Sequence, residues 1–203
     1  MKIYKFMIVK IISNNVIIYI RVIEVGDKMN DRFYIYKCFF QEEPYFHLTM
    51  TQKFFLSLLY SLSDEEGYLP MQQKQLGEMI GLTKVGIGIR LSYLYKTNIV
   101  TIDNNKVVKV TRPHNREFIP LNEEFVYGKY RNLSEGAKMF YTYYRYIQLL
   151  EKADYLKIKG TEIGKPLNLN VRSIQKYYIE LENVGLLIKS KDSGMNKLRF
   201  LEI

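Results

Sequence analysis

The sequence predicts a mainly α protein with small β hairpins, an α+β chain in which one small domain is used twice behind an N-terminal β-hairpin. Three observations predict it. The segment LTMTQKFFLSLLYSL starting at Leu48 returns as LSEGAKMFYTYYRYI starting at Leu133, an offset of 133 − 48 = 85, and upstream Phe33, Tyr36 and Phe40 fall on Phe118, Leu121 and Phe125. Further on, LGEMIGLTKVGIGIRLSYLYKTNIV returns as IGKPLNLNVRSIQKYYIELENVGLLI, with Leu76 on Ile163 at an offset of 163 − 76 = 87. Two extra residues between SLSDEEG and YIQLLEKAD account for the change. Within each copy, apolar residues recur at helical spacing and then give way to short β-rich runs around polar turns. A repeat of this length is a domain, not a solenoid unit. The expected organisation is a hairpin or leader at 1–30, a first domain at 31–112, a linker at 113–120 and a second domain at 121–203.

Residues 1–30 stand outside the repeat. Their apolar run is interrupted by Lys10, Asn14, Asn15 and Arg21, which suits neither a membrane span of about 20 apolar residues nor a secretory signal. β-Branched residues on both sides of Asn14-Asn15 predict a hairpin with a tight turn. Met29 offers a start for a shorter product. The expectation is a cytoplasmic protein without a membrane partner.

In the first copy, residues 32–40 read as an extended lead-in strand. Thr49 or Thr51 caps a helix carrying Phe54, Phe55, Leu58 and Leu59. A turn follows with a short strand around Tyr68-Leu69, and then a helix from about Gln72 to Ile80. Gly81-Leu82 breaks it, and Thr83 caps a third helix running to about Lys96. Asn98 sits where a left-handed terminator belongs. IVTIDNNKVVKV closes the copy as strand, turn and strand. In the second copy Ser134 caps the first helix, residues 155–158 form the short strand, and Thr161 begins the second helix. Leu167-Asn168-Leu169 turns the chain, Asn170 caps the third helix, Gly185 ends it, and the rest forms a hairpin. Residues 111–120, with two prolines, read as the linker.

Helix, short strand, helix, turn, helix and hairpin make a winged helix: a helix-turn-helix followed by a β wing. Both copies resemble the winged helix-turn-helix domains of replication and regulatory proteins of Gram-positive plasmids and phages. The matching features are the lead-in FIPL, the LSEGAKMFY helix and the pattern from Asn170 to Leu187. In tandem they also resemble the two-domain winged-helix initiators of iteron plasmids. The resemblance spans residues 32–203 and implies binding to double-stranded DNA in replication initiation or transcription regulation. The first copy departs from the pattern at Gly86, Gly88 and Asn98.

The net charge of +9 on 203 residues favours a polyanionic partner, although a composition rich in Lys, Ile, Asn and Tyr supplies part of that excess. A reading helix buries one face and offers reaching polar groups to the major groove. In the second copy Ile174, Tyr178 and Leu181 form the buried stripe, which leaves Arg172, Ser173, Gln175 and Lys176 outside, behind the cap Asn170. Lys189, Lys191, Lys197 and Arg199 surround the second wing. In the first copy Lys84 and Arg90 are the long polar groups of the third helix, and Lys106, Lys109 and Arg112 flank the wing. The glycines there permit close approach to a phosphate backbone or to another protein's helix, and both readings stay open. The aromatic run FYTYYRY from Phe140 to Tyr146 has helical spacing and reads as core.

No catalytic constellation emerges. GLTKVGIG lacks the Gly-Lys-Ser/Thr ending of a phosphate-binding loop. His47 and His114 are far apart, and a lone Cys38 excludes both an internal disulfide and a multi-cysteine zinc site. The expected protein is not an enzyme and uses no cofactor or metal. Its expected partners are double-stranded DNA and, besides it, a homodimer or the replication or transcription machinery. The alternative is a winged-helix protein–protein module, for dimerisation or scaffolding, with weak DNA binding. An apolar exposed face on the helix from Thr83 to Lys96 would support that alternative.

Overall fold

The computed structural model describes residues 12–13, 16–17, 33–102 and 107–203. Residues 1–30 and 31–203 are two separate units. In the first, β1 (Ile12–Ser13) and β2 (Val16–Ile17) pair antiparallel, Ile12 opposite Ile17 and Ser13 opposite Val16. The turn expected at Asn14-Asn15 lies outside the described residues.

The second unit is an α+β assembly of five α-helices and small antiparallel sheets among the described residues. At its centre α1 (Met50–Leu62) packs on α4 (Glu135–Leu150). Each starts on a hydroxyl cap. Thr49 accepts from the Gln52 N–H at 3.3 Å while the Gln52 side chain accepts from the Thr49 N–H at 2.8 Å; Ser134 accepts from the Ala137 N–H at 3.3 Å. Caps of this kind are worth about 1 kcal/mol each. The apolar positions then enter one continuous core: Phe54, Phe55, Leu58 and Leu59 from α1, and Met139, Phe140, Tyr141 and Tyr144 from α4. The aromatic run is core, as its spacing predicts.

The lead-in strand β3 (Phe33–Tyr36) is followed by a 3-10 turn, Lys37–Phe40, that buries Cys38. β3 pairs antiparallel with β6 (Phe118–Leu121), Phe33 opposite Leu121 and Tyr36 opposite Phe118. Replacing each residue by its counterpart 85 positions away exchanges those two pairs, so the strand pair has a local two-fold axis. The expected linker therefore ends in a strand. Alternate residues Ile119 and Leu121 are buried, and Pro120 is tolerated because both strands of a two-stranded sheet are edges.

Helices α2 (Gln73–Ile80) and α3 (Lys84–Tyr95) meet at Gly81, whose φ of 74° is left-handed. Asn168, 87 positions on, has φ 51°. In both places the chain folds back on a glycine: the Leu82 N–H donates to the Gly77 carbonyl at 2.8 Å and the Leu169 N–H to the Gly164 carbonyl at 2.9 Å. A Cβ on Gly77 or Gly164 would collide with the carbonyl oxygen of Leu82 or Leu169. The second helix expected from Thr161 does not form. Turns and a 3-10 turn, Lys165–Leu167, replace it, because Pro166 lacks an N–H and only seven residues separate Gly160 from Asn168.

Helix α3 buries Ile87, Leu91 and Leu94, and α5 (Val171–Asn183) buries Ile174, Tyr178 and Leu181. After α3, β4 (Val100–Ile102) pairs with β5 (Val108–Val110). The short strand expected at Tyr68-Leu69 is reduced to one bridge, Tyr68 opposite Lys109. After α5, β7 (Leu156–Ile158), β9 (Met195–Phe200) and β8 (Leu187–Asp192) form a three-stranded sheet in that order. Asn98 at φ 57° and Gly185 at φ 73° redirect the chain into the two hairpins.

Two lysines are buried where an amphipathic reading puts surface. Lys53 and Lys138, 85 residues apart, are 0% and 5% exposed. Each ammonium donates to the carbonyl seven residues upstream, Phe46 at 3.0 Å and Arg131 at 2.7 Å. Lys53 lies over the Phe40 and Phe46 rings, and Lys138 over that of Phe54. Burial pushes both down to about 8. Among the described residues no helix is long and apolar enough to cross a membrane.

Candidate nucleic-acid interface

The outer face of α5 carries the polar residues that the sequence expects there, beside the exposed Val171 and Ile179. The side-chain oxygen of Asn170 accepts from the Ser173 N–H at 2.8 Å, which fixes the start of the helix. Arg172, Gln175 and Lys176 project from it exposed, and Ser173 is half-buried. Lys176 is 3.7 Å from Glu180, one turn on, a solvent-screened pair that leaves its ammonium able to exchange partners. Glu180 also accepts the Ser134 N–H at 2.9 Å, which ties α5 to the start of α4. A second tie is steric: a Cβ at Gly136 would overlap the Tyr177 ring. The helix is therefore held by its inner face and by these ties to α4.

The sheet divides the cations expected around the second hairpin. Strand alternation and the register put Leu187, Lys189 and Lys191 on one face with Leu198 and Phe200. Lys189 there lies 4.7 Å from the Tyr178 ring centroid and 3.8 Å from Glu182, both on α5, so this is the face toward α5, and Lys191 shares it. Lys197 and Arg199 lie on the other face. Lys197 sits 3.6 Å from the Tyr155 ring centroid, and beside it Lys157 holds Asp192 at 2.7 Å, which keeps the Asp192 carboxyl below its ordinary range. The four cations thus form two groups, and only Lys189 and Lys191 lie on the sheet face toward α5.

The candidate cations of residues 84–112 have mostly different surroundings. Lys84 is exposed at the start of α3. Arg90 pairs with Glu135 at the first turn of α4 and lies over the Phe55 ring, so it joins the two halves. Arg112 turns inward. Its guanidinium donates to the hydroxyls of Tyr34 and Tyr36 at 3.0 and 3.2 Å and to the carbonyls of Ser63 and Asp64 at 3.2 and 2.7 Å. It clamps β3 to the end of α1. Lys109 lies over the Tyr68 ring with its ammonium 3.4 Å from that hydroxyl. Lys106 lies outside the described residues. The sequence places Arg90 and Arg112 beside a wing and a groove-facing helix; the structure gives both a structural partner set, because a planar five-donor group suits several converging carbonyls and hydroxyls.

The outer face of α3 differs from that of α5. Val85, Ile89 and Tyr93 are 72%, 53% and 50% exposed at a spacing of four. The 87-residue offset sets Val85 against Arg172 and Ile89 against Lys176. Among the described residues no group of three His, Cys, Asp or Glu could hold a metal; His47 pairs with Glu43 at 2.7 Å on the surface. Compared with known protein families, characterised proteins and solved structures, the chain matches none.

Proposed function

We propose that this chain is a sequence-specific double-stranded DNA-binding protein in which α5 reads the major groove and the β8–β9 hairpin lies beside it. In this reading residues 31–203 are two winged helices derived by duplication, and the protein acts by binding, without catalysis or cofactor, in the cytoplasm. One observation carries it: α5 presents Arg172, Gln175 and Lys176 exposed on a helix whose inner face is locked by Ile174, Tyr178 and Leu181. Arg pairs with guanine and Gln with adenine through two hydrogen bonds each, worth about 1–3 kcal/mol of discrimination. Lys189 and Lys191, on the sheet face toward α5, supply phosphate contacts, and these add affinity and salt dependence but little sequence choice.

The biological process is replication initiation or transcription regulation of a plasmid or phage. Target selection from random duplexes, followed by binding at several salt concentrations, tests the reading. Arg172→Ala and Gln175→Ala are expected to lower the preference for the selected site over random duplex by roughly 5- to 150-fold, with little change in non-specific affinity. Equal, weak binding to every duplex, unaffected by either substitution, overturns it. Direct repeats at the selected sites beside the gene favour initiation; a promoter overlap favours transcription control.

A further inference from the structure

We propose that the outer face of α3 docks an amphipathic helix of a partner protein whose apolar ridge is flanked by carboxylates. Val85, Ile89 and Tyr93 form a ridge along the helix, each at least half exposed. Gly88 lies in the valley beside it. A Cβ there would meet nothing within 4 Å, and its φ is not left-handed. The fold therefore has no use for this glycine, although glycine in a helix interior costs about 1 kcal/mol relative to alanine. A bare backbone in an exposed valley lets a second helix approach closely, and helices packing on an apolar ridge recognise side chains at i, i+4 and i+7.

Charge selects among the occupants. Helix α3 carries no acidic side chain, and its exposed Lys84 and Lys96 bracket the ridge at either end. Among the described residues neither lysine has a carboxylate partner. A second copy fits poorly, since two α3 helices crossing antiparallel at their midpoints would put Lys84 of each against Lys96 of the other. Duplex DNA also fits poorly: Val85 and Ile89 offer no hydrogen bonds at the positions where α5 has Arg172 and Lys176. A helix with carboxylates on both flanks satisfies the lysines and fills the ridge together.

The test uses the full chain and two synthetic helical peptides that share a Leu ridge at i, i+4 and i+7. One has Glu on both flanks and the other Lys. Fluorescence anisotropy is expected to give binding of the Glu peptide at least about tenfold tighter than the Lys peptide, with Ile89→Asp and Lys84→Glu each weakening it by about tenfold or more. Circular dichroism of both variants and their affinity for duplex DNA should match wild type. That last readout separates this proposal from the DNA reading, which Arg172→Ala tests on another helix. Equal binding of the two peptides, or an Ile89→Asp variant that binds as wild type does, overturns the proposal. A dimer in sedimentation velocity that Ile89→Asp dissociates reassigns the face to a second copy. Loss of duplex binding in Ile89→Asp reassigns it to DNA.

Discussion

Helices α3 and α5 start on equivalent caps, Thr83 accepting from the Gly86 N–H at 3.1 Å and Asn170 from the Ser173 N–H at 2.8 Å. Each follows a left-handed turn residue and buries three positions at equivalent places. Their outer faces differ: Val85, Gly88 and Ile89 stand where Arg172, Gln175 and Lys176 stand, although α5 too exposes apolar side chains at Val171 and Ile179. The inner face answers to the core and the turn, which allow few substitutes. The outer face answers only to what comes from outside, and there the two helices differ.

The comparison can be broken at its strictest point, the paired glycines. Gly77→Ala and Gly164→Ala each force a Cβ into a backbone carbonyl, and each is expected to destabilise the fold by about 1–3 kcal/mol or more, read as a shift in urea midpoint at unchanged slope. An effect at one glycine and none at the other would mean that the two turns are not built alike. Arg112 sharpens the contrast from the other side. Its clamp on Tyr34, Tyr36, Ser63 and Asp64 belongs to the first half, and Arg112→Ala should cost about 2–3 kcal/mol in the same assay; under the proposed function it should leave any duplex binding through α5 unchanged.

Lys53 and Lys138 give a smaller effect with a pH signature. Each releases its proton at about 8 when folded, against 10.5 for the ordinary group. Between those values the unfolded chain holds more protons on these groups, so their contribution to stability rises as pH goes from 8 toward 10.5 and is flat below 8. Lys53→Met and Lys138→Met are each expected to raise stability at pH 7 by about 1–2 kcal/mol and to flatten the rise between pH 8 and 9.5. An unchanged slope in both variants would show that neither ammonium feels its burial. Gly88→Ala closes the series. With open space around the new Cβ it should raise stability by about 0.5–1 kcal/mol, measured as a higher Tm.

Local chemistry was readable from the chain. Hydroxyl and amide caps, the left-handed Asn98 and Gly185, and the stripe Ile174, Tyr178 and Leu181 each depend on residues a turn or two apart, and their positions follow. What escaped depends on distant partners. The pairing of β3 with β6 turns part of an expected linker into sheet, and no local pattern announces it. Pro166 was visible, yet the second helix was expected because its counterpart in the first copy forms. Arg112 and Arg90 look like solvent-facing cations until the carbonyls, hydroxyls and carboxylate that receive them are assembled around them. Lys53 and Lys138 did carry a signal, since both keep their place under the 85-residue offset between caps and aromatic residues, where a merely solvated lysine would be under no constraint. At the candidate interface the α5 residues were legible, whereas the partition of the wing cations by the pleat required the register of β8 against β9.

The pairing of Phe33–Tyr36 with Phe118–Leu121 also has a consequence for synthesis. The partner of β3, the first strand of the 31–203 unit, is the last strand to appear before α4, so during translation β3 waits for about 80 residues, some seconds at ribosomal speed, with its edge uncovered. A non-local closure of this kind slows folding. A fragment ending near residue 112 would expose Phe33 and Ile35 on an unpaired edge, the feature that seeds aggregation. The first half of the 31–203 unit is thus completed by the second, and β3 gains its partner only after Leu121 has emerged.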